Sequence, residues 1–101
     1  MQLQLTTREF VEELVGSKGR VKILRALVDS GELNISQICR KVGMNYTAVD
    51  RNILILEDMG LIRQRWYGKI RMIDVTFDEF SIRFKRQHGI DIKIASRERL
   101  S

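Results

Sequence analysis

The chain has 101 residues, is 44% hydrophobic and 31% charged, and carries a formal net charge of +5. That length suits one domain rather than two, and the apolar run "ILIL" near its middle is far too short to span a bilayer. A single cysteine, Cys39, excludes an intramolecular disulfide and a cysteine-cluster zinc site, which fits a reducing, cytoplasmic setting. The positive balance points to a polyanionic partner.

The N-terminal stretch "MQLQLTTREF" has neither a basic lead nor a long apolar core, so no secretory leader is expected. Thr6 and Glu9 stand at capping-box spacing, and Phe10, Val11, Leu14 and Val15 form an apolar stripe, which together predict a helix over 7–15. A second helix is expected from Ser17 or Lys18 to Asp29, with Val21, Leu24 and Val28 on one face, Ile23 and Leu27 beside it, and Gly31 as its stop. A short third helix over 36–42, capped by Ser36, turns Ile38, Cys39 and Val42 inward and ends at Gly43. Asn45 is a good N-cap for a fourth helix that runs to Met59 and is closed by Gly60.

The pattern then changes. "LIRQRWY" and "KIRMIDV" alternate and are rich in β-formers, with Gly68 between them, so they read as a β-hairpin. Thr76 and Glu79 repeat the capping-box spacing, which predicts a fifth helix from Phe77 to Gln87 that buries Phe77, Phe80, Ile82 or Phe84 and ends at Gly89. His88 would sit at its C-terminal end, where the helix dipole favours a cation. The tail "IDIKIAS" alternates again, as a short strand would. The reading is a single domain over 1–101, mainly α with a small β-hairpin.

In "ISQICRKVGMNYTAVDRNI", then "LEDMGLI", then basic strands around Gly68, the order is helix, turn, longer helix, hairpin. On these residues the chain resembles the winged helix-turn-helix transcription regulators, the arsenic-repressor-like and MarR-like groups in particular, over about 18–75. The resemblance implies a sequence-specific regulator that binds double-stranded DNA, with the fourth helix in the major groove and the hairpin as a wing on the backbone or minor groove. Metal-sensing members of the arsenic-repressor group carry paired cysteines on or near the third helix. This chain has no such pair, so metal sensing is not carried over, and Cys39 is expected to be a buried thiol.

The spacing supports the same reading. A reading helix needs an apolar face against its scaffold and a polar first turn toward the bases. Val49, Ile53 and Leu56 follow the i, i+4, i+7 spacing of such a face. Asn45, Tyr46, Thr47, Asp50 and Arg51 lie off its centre, and Thr47 and Arg51, four apart, point outward together. Arginine grips guanine bidentately and threonine meets a thymine methyl or a phosphate, whereas Asp50 has the wrong sign for a phosphate.

No acid occurs from Leu33 to Val49, where Arg40 and Lys41 stand, nor from Leu61 to Ile73, where Arg63, Arg65, Lys69 and Arg71 stand. These cations are candidates for phosphate binding; guarding a strand edge would use them equally well. Lys18 and Arg20 open a helix, where the dipole disfavours cations, so a phosphate contact or a loop exit is expected of them. Trp66 is expected beneath the hairpin, on the side of Ile62, and Tyr67 is open to either side.

No glycine-rich phosphate loop, metal-ligand cluster or nucleophile-plus-base pattern is present, so neither an enzyme nor a cofactor is expected. The second functional reading, from another class, is a protein–protein module that meets its partner through Trp66 and Tyr67. Apolar residues continue outside the motif, over 1–17 and 76–101, and Leu54 falls on the outer side of the reading helix. A homodimer joined through these flanks is expected.

Overall fold

The computed structural model describes residues 5–96. Helix α1 (Thr7–Val15) opens with the expected capping box: Thr6 accepts from the Glu9 amide, and the Glu9 carboxylate accepts from the Thr6 amide. Those hydrogen bonds hold the Glu9 carboxyl below its ordinary range. Helix α2 (Lys18–Ser30) is capped by Ser17 and buries Ile23, Leu24 and Leu27, while Val21 and Val28 are exposed. Its buried stripe therefore joins Leu24 of the expected face to Ile23 and Leu27 of the row beside it.

A two-residue strand, β1 (Leu33–Asn34), precedes helix α3 (Ile35–Val42). The cap of α3 is Asn34 and not Ser36. Asn34 and Gln37 exchange side-chain and backbone hydrogen bonds at 2.9 and 2.8 Å, which satisfies two otherwise orphaned amides where Ser36 alone would satisfy one. Gly43, at φ 69°, takes the left-handed turn that ends α3, and the Gly43 and Met44 amides both donate to the Cys39 carbonyl. Cys39 is half-buried rather than buried.

Helix α4 (Tyr46–Asp58) starts at Asn45, whose side chain accepts from the Ala48 amide at 2.9 Å. Val49, Ile53 and Leu56 are fully buried. Each such side chain contributes about 1.5–3 kcal/mol of burial, which fixes how far α4 can rotate in its seat. They meet Ile23, Leu27, Ile38, Leu61, Ile62 and Ile73 in one core.

Strands β2 (Ile62–Tyr67) and β3 (Ile70–Val75) form the expected hairpin, with Tyr67 opposite Ile70 and only Gly68 and Lys69 in the turn. Gly68 has φ 63°, and a glycine first in a two-residue turn matches the right-handed twist of the strands. Strand β1 pairs on the other side of β3, giving the sheet order β1-β3-β2.

The expected fifth helix is a second hairpin, β4 (Glu79–Lys85) with β5 (Gly89–Ala95). Thr76 does not cap a helix: its hydroxyl donates to the Gly60 carbonyl at 2.6 Å and its amide to Leu61. Phe80, Ile82 and Phe84 repeat every second residue, and the register sets them against Ile94, Ile92 and Ile90. One face of the hairpin is therefore apolar throughout, an arrangement a helix over 77–87 would scatter. His88 lies in the exposed three-residue loop beside Gln87, which takes φ 64°, and not at a helix end. The tail strand is present, as β5.

The flanking segments fold onto the domain in part. Phe10, Phe77, Phe80 and Ile82 pack against the core, and the Phe10 and Phe80 rings meet edge to face at 6.1 Å. On the hairpin's other face Arg83 pairs with Asp91 and holds that carboxyl below its ordinary range. Among the described residues no helix is long and apolar enough to cross a membrane.

Candidate nucleic-acid interface

The first turn of α4 presents Tyr46, Thr47 and Arg51 to solvent, and the C-terminal turn of α3 presents Arg40 and Lys41. Asn45 is exposed beside them, with its side-chain oxygen committed to the helix cap. The buried row Val49, Ile53, Leu56 forces Thr47 and Arg51 outward, because 3.6 residues per turn leave them no other side.

Asp50 has a different position from its neighbours. Its carboxylate meets the Arg71 guanidinium on β3 at 2.6 Å, and the Arg71 side chain is only 12% exposed. Arg71 also donates to Gln64 on β2 and to the Tyr46 hydroxyl at 3.4 Å, and Gln64 donates to Glu57 on α4 at 3.0 Å. This chain of polar contacts ties the first and last turns of α4 to the wing. Asp50 and Arg71, both candidate contacts by sequence, are thus already engaged with each other. Their geometry suits them to holding the wing at a set angle.

The remaining wing cations divide in the same way. Arg63 is half-buried and meets Asp74 at 4.0 Å, whereas Arg65 and Lys69 are exposed near the turn. The acid-free run of sequence therefore does not give a uniformly basic strand: Asp50 and Asp74, brought in by the fold, answer two of its four cations.

Arg20 is not turned toward solvent, as a phosphate contact at the start of α2 would be. Its guanidinium donates to the Asn52 side chain at 3.1 Å and to the Glu13 carbonyl, and pairs with the Glu13 carboxylate at 3.2 Å. Asn52 is the one polar residue among the buried ones described, and it donates in turn to Ala48 within α4. Arg20 thus fastens α1, α2 and α4 together. Lys18 is exposed. Sequence spacing held no sign of the Arg20–Asn52 pair, whose members are 32 residues apart.

Trp66 was expected beneath the hairpin and is instead 65% exposed, with Tyr67 and Ile70 exposed beside it. Alternation does place it on the Ile62 side of the sheet. The strands, however, run past the end of the domain, and no core lies under the tip.

Residues 17–64 match the family model described as the bacterial regulatory protein, arsR family. Comparison with curated protein sequences finds no match. Among solved structures, the chain is similar to a possible transcriptional regulatory protein from Mycobacterium bovis, with TM-score 0.60 and 26% identity over 68% of this chain and 73% of that one. A second structure from Mycobacterium bovis, described as the homodimeric winged helix-turn-helix DNA-binding domain of a possible ArsR-family transcriptional regulator, gives the same score and identity over 63% of its own length. The peroxide stress regulator of Campylobacter jejuni, at 18% identity and TM-score 0.57 over 95% of this chain, shares the fold. Residues 17–64 are thus similar to an ArsR-family helix-turn-helix, and the chain has a winged-helix fold that a second β-hairpin extends.

Proposed function

We propose that the protein is a cytoplasmic, sequence-specific regulator that reads double-stranded DNA with the first turn of α4 in the major groove. The observation that carries this is the exposure of Thr47 and Arg51 on a helix whose opposite face is fully buried. Arg40 and Lys41 stand beside them, and the one nearby acid, Asp50, is neutralised by Arg71. A major groove about 12 Å wide admits such a helix. Arg65 and Lys69 carry the wing's contact with phosphates.

Binding measured at several salt concentrations tests this reading, because each phosphate contact steepens the fall of log affinity with log salt by about 0.9. Replacing Arg65 and Lys69 by alanine is expected to weaken every duplex alike and to reduce that slope by about 2. A loss confined to one sequence would show that the two residues read bases instead.

The regulator is a homodimer built on α1 and the β4–β5 hairpin. Helix α1 packs against β5, so the two form one continuous flank. On that hairpin Phe84 stays 73% exposed and Ile94 is also exposed, as is Val15 on α1. Large exposed apolar groups on one flank suit an interface, and the structurally similar domain from Mycobacterium bovis is homodimeric. Two-fold symmetry would set two reading helices about 34–36 Å apart and favour an inverted-repeat site. Light scattering is expected to give a dimer for the full chain and a monomer for Phe84→Glu. A monodisperse monomer for the full chain, well above DNA-binding concentrations, would overturn the assembly.

A further inference from the structure

The second hairpin leaves one strand edge unused. Strand β4 pairs with β5 alone, and among the described residues no strand lies along its other side. An open edge is a template for another strand unless proline, a bulge or charge blocks it. The chain has no proline, and the seven-residue register with β5 runs unbroken. The edge does carry Glu79, Arg83 and Lys85, and their order decides which strand they admit. Glu79 and Lys85 are exposed, and their side chains form no hydrogen bond or ion pair among the described residues. Phe84, on the opposite face of the strand, is 73% exposed.

A two-fold dimer makes every contact twice, residue i on j and j on i. Turned about an axis at Ile82, β4 meets an antiparallel copy of itself over its whole length. Each Glu79 then faces the partner's Lys85, each Phe80 the partner's Phe84, and each Ser81 the partner's Arg83. Opposite charges and aromatic pairs directly across an antiparallel ladder are both stabilising. Neighbouring registers are worse. An axis at Arg83 sets like charges face to face, and one at Ser81 puts Phe84 against Asp78. Strand β5 would set Asp91 against Lys93 in the same manner, but Arg83 already holds Asp91 and α1 lies against β5.

Resting on the homodimer reading above, we propose that two copies of the chain join β4 to β4 about Ile82, in one four-stranded antiparallel sheet. The partner's Phe84 lands beside Phe80, whose ring already meets Phe10 at 6.1 Å and Phe77 at 5.5 Å. Each protomer thus supplies the ring that covers the other's aromatic cluster.

Single cysteines read the register. In the full chain carrying Cys39→Ser, Ile82→Cys is expected to crosslink to its copy under mild oxidation, because directly opposite Cα atoms stand about 4.5–5.5 Å apart. Ser81→Cys is not, since its two copies lie about 8 Å apart, outside disulfide reach. Glu79→Lys is expected to weaken self-association about tenfold by sedimentation, and adding Lys85→Glu to restore it to within about twofold. Circular dichroism checks that each variant is folded. A full chain that stays monomeric at every concentration overturns the homodimer and this pairing together. A dimer that crosslinks at Ser81→Cys or Ile92→Cys, or nowhere, overturns the pairing alone, as does a charge swap that fails to restore association.

Discussion

Replacing Arg20 by methionine is expected to lower the unfolding free energy by about 2–4 kcal/mol, a large share of what a domain this size holds. Methionine keeps the bulk of the stem and removes the fork. The Asn52 side-chain oxygen and the Glu13 carbonyl would then lose a charged donor, in a place where Arg20 is 15% exposed and Asn52 is buried. The estimate lies below the range for a fully buried pair because the Glu13 carboxylate is 38% exposed and water can answer it in part. Lysine at position 20 should not rescue, since a single ammonium cannot reach both partners in the plane of a guanidinium. The control is Arg25→Ala, which breaks the exposed pair with Asp29 and should shift stability by no more than about 0.5 kcal/mol. Urea midpoints for both variants decide the matter. An Arg20→Met midpoint as close to wild type as that of Arg25→Ala would show that the network carries no net stability.

Arg51→Ala is expected to weaken binding to the preferred duplex by about 1–3 kcal/mol, or 5- to 150-fold, and to relax one base position. Binding to random-sequence DNA should change far less, by about the loss of one phosphate contact. The expectation rests on Arg51 standing exposed at i+4 from Thr47, its guanidinium engaged in no hydrogen bond or ion pair among the described residues. Asp50, its neighbour, is held by Arg71 at 2.6 Å and does not compete for that guanidinium. Competition between the selected duplex and its single-base variants measures the effect. Equal affinities of the variant and wild type for specific and random DNA would remove Arg51 from the readers. Asp50→Ala makes an informative companion: it would release Arg71 from α4 and loosen the wing's angle, so its effect should reach every sequence and not one base.

The two substitutions probe charges that look alike in the sequence and differ in the fold. Arg20, Arg51, Arg63 and Arg71 are all arginines near acid-poor segments. Asn52 and Glu13 claim the first, Asp74 meets the third and Asp50 claims the fourth. These partners lie between 7 and 32 residues away in sequence, and no local spacing announces them. A count of cations along a strand therefore overstates the basic surface, and the fold leaves Arg65 and Lys69 as the exposed pair near the wing turn.

The sequence by itself determined the parts governed by neighbours a few residues apart. The capping box at Thr6, the Asn45 cap, the turn at Gly43, the core row of α4 and a wing hairpin turning at Gly68 all follow from local hydrogen bonding and period. Those signals carry the helix-turn-helix and wing. Tertiary structure decided whatever depended on a distant partner. Residues 79–85 became a strand because 89–95 offered a matching apolar face, while Thr76 was drawn to Gly60 and Leu61 instead of capping a helix. Two residues, Leu33 and Asn34, became strand only because β3 was there to pair with. Trp66 stayed in solvent because alternation chooses a side of the sheet, whereas burial requires a body beneath that side, and the domain ends before the wing tip.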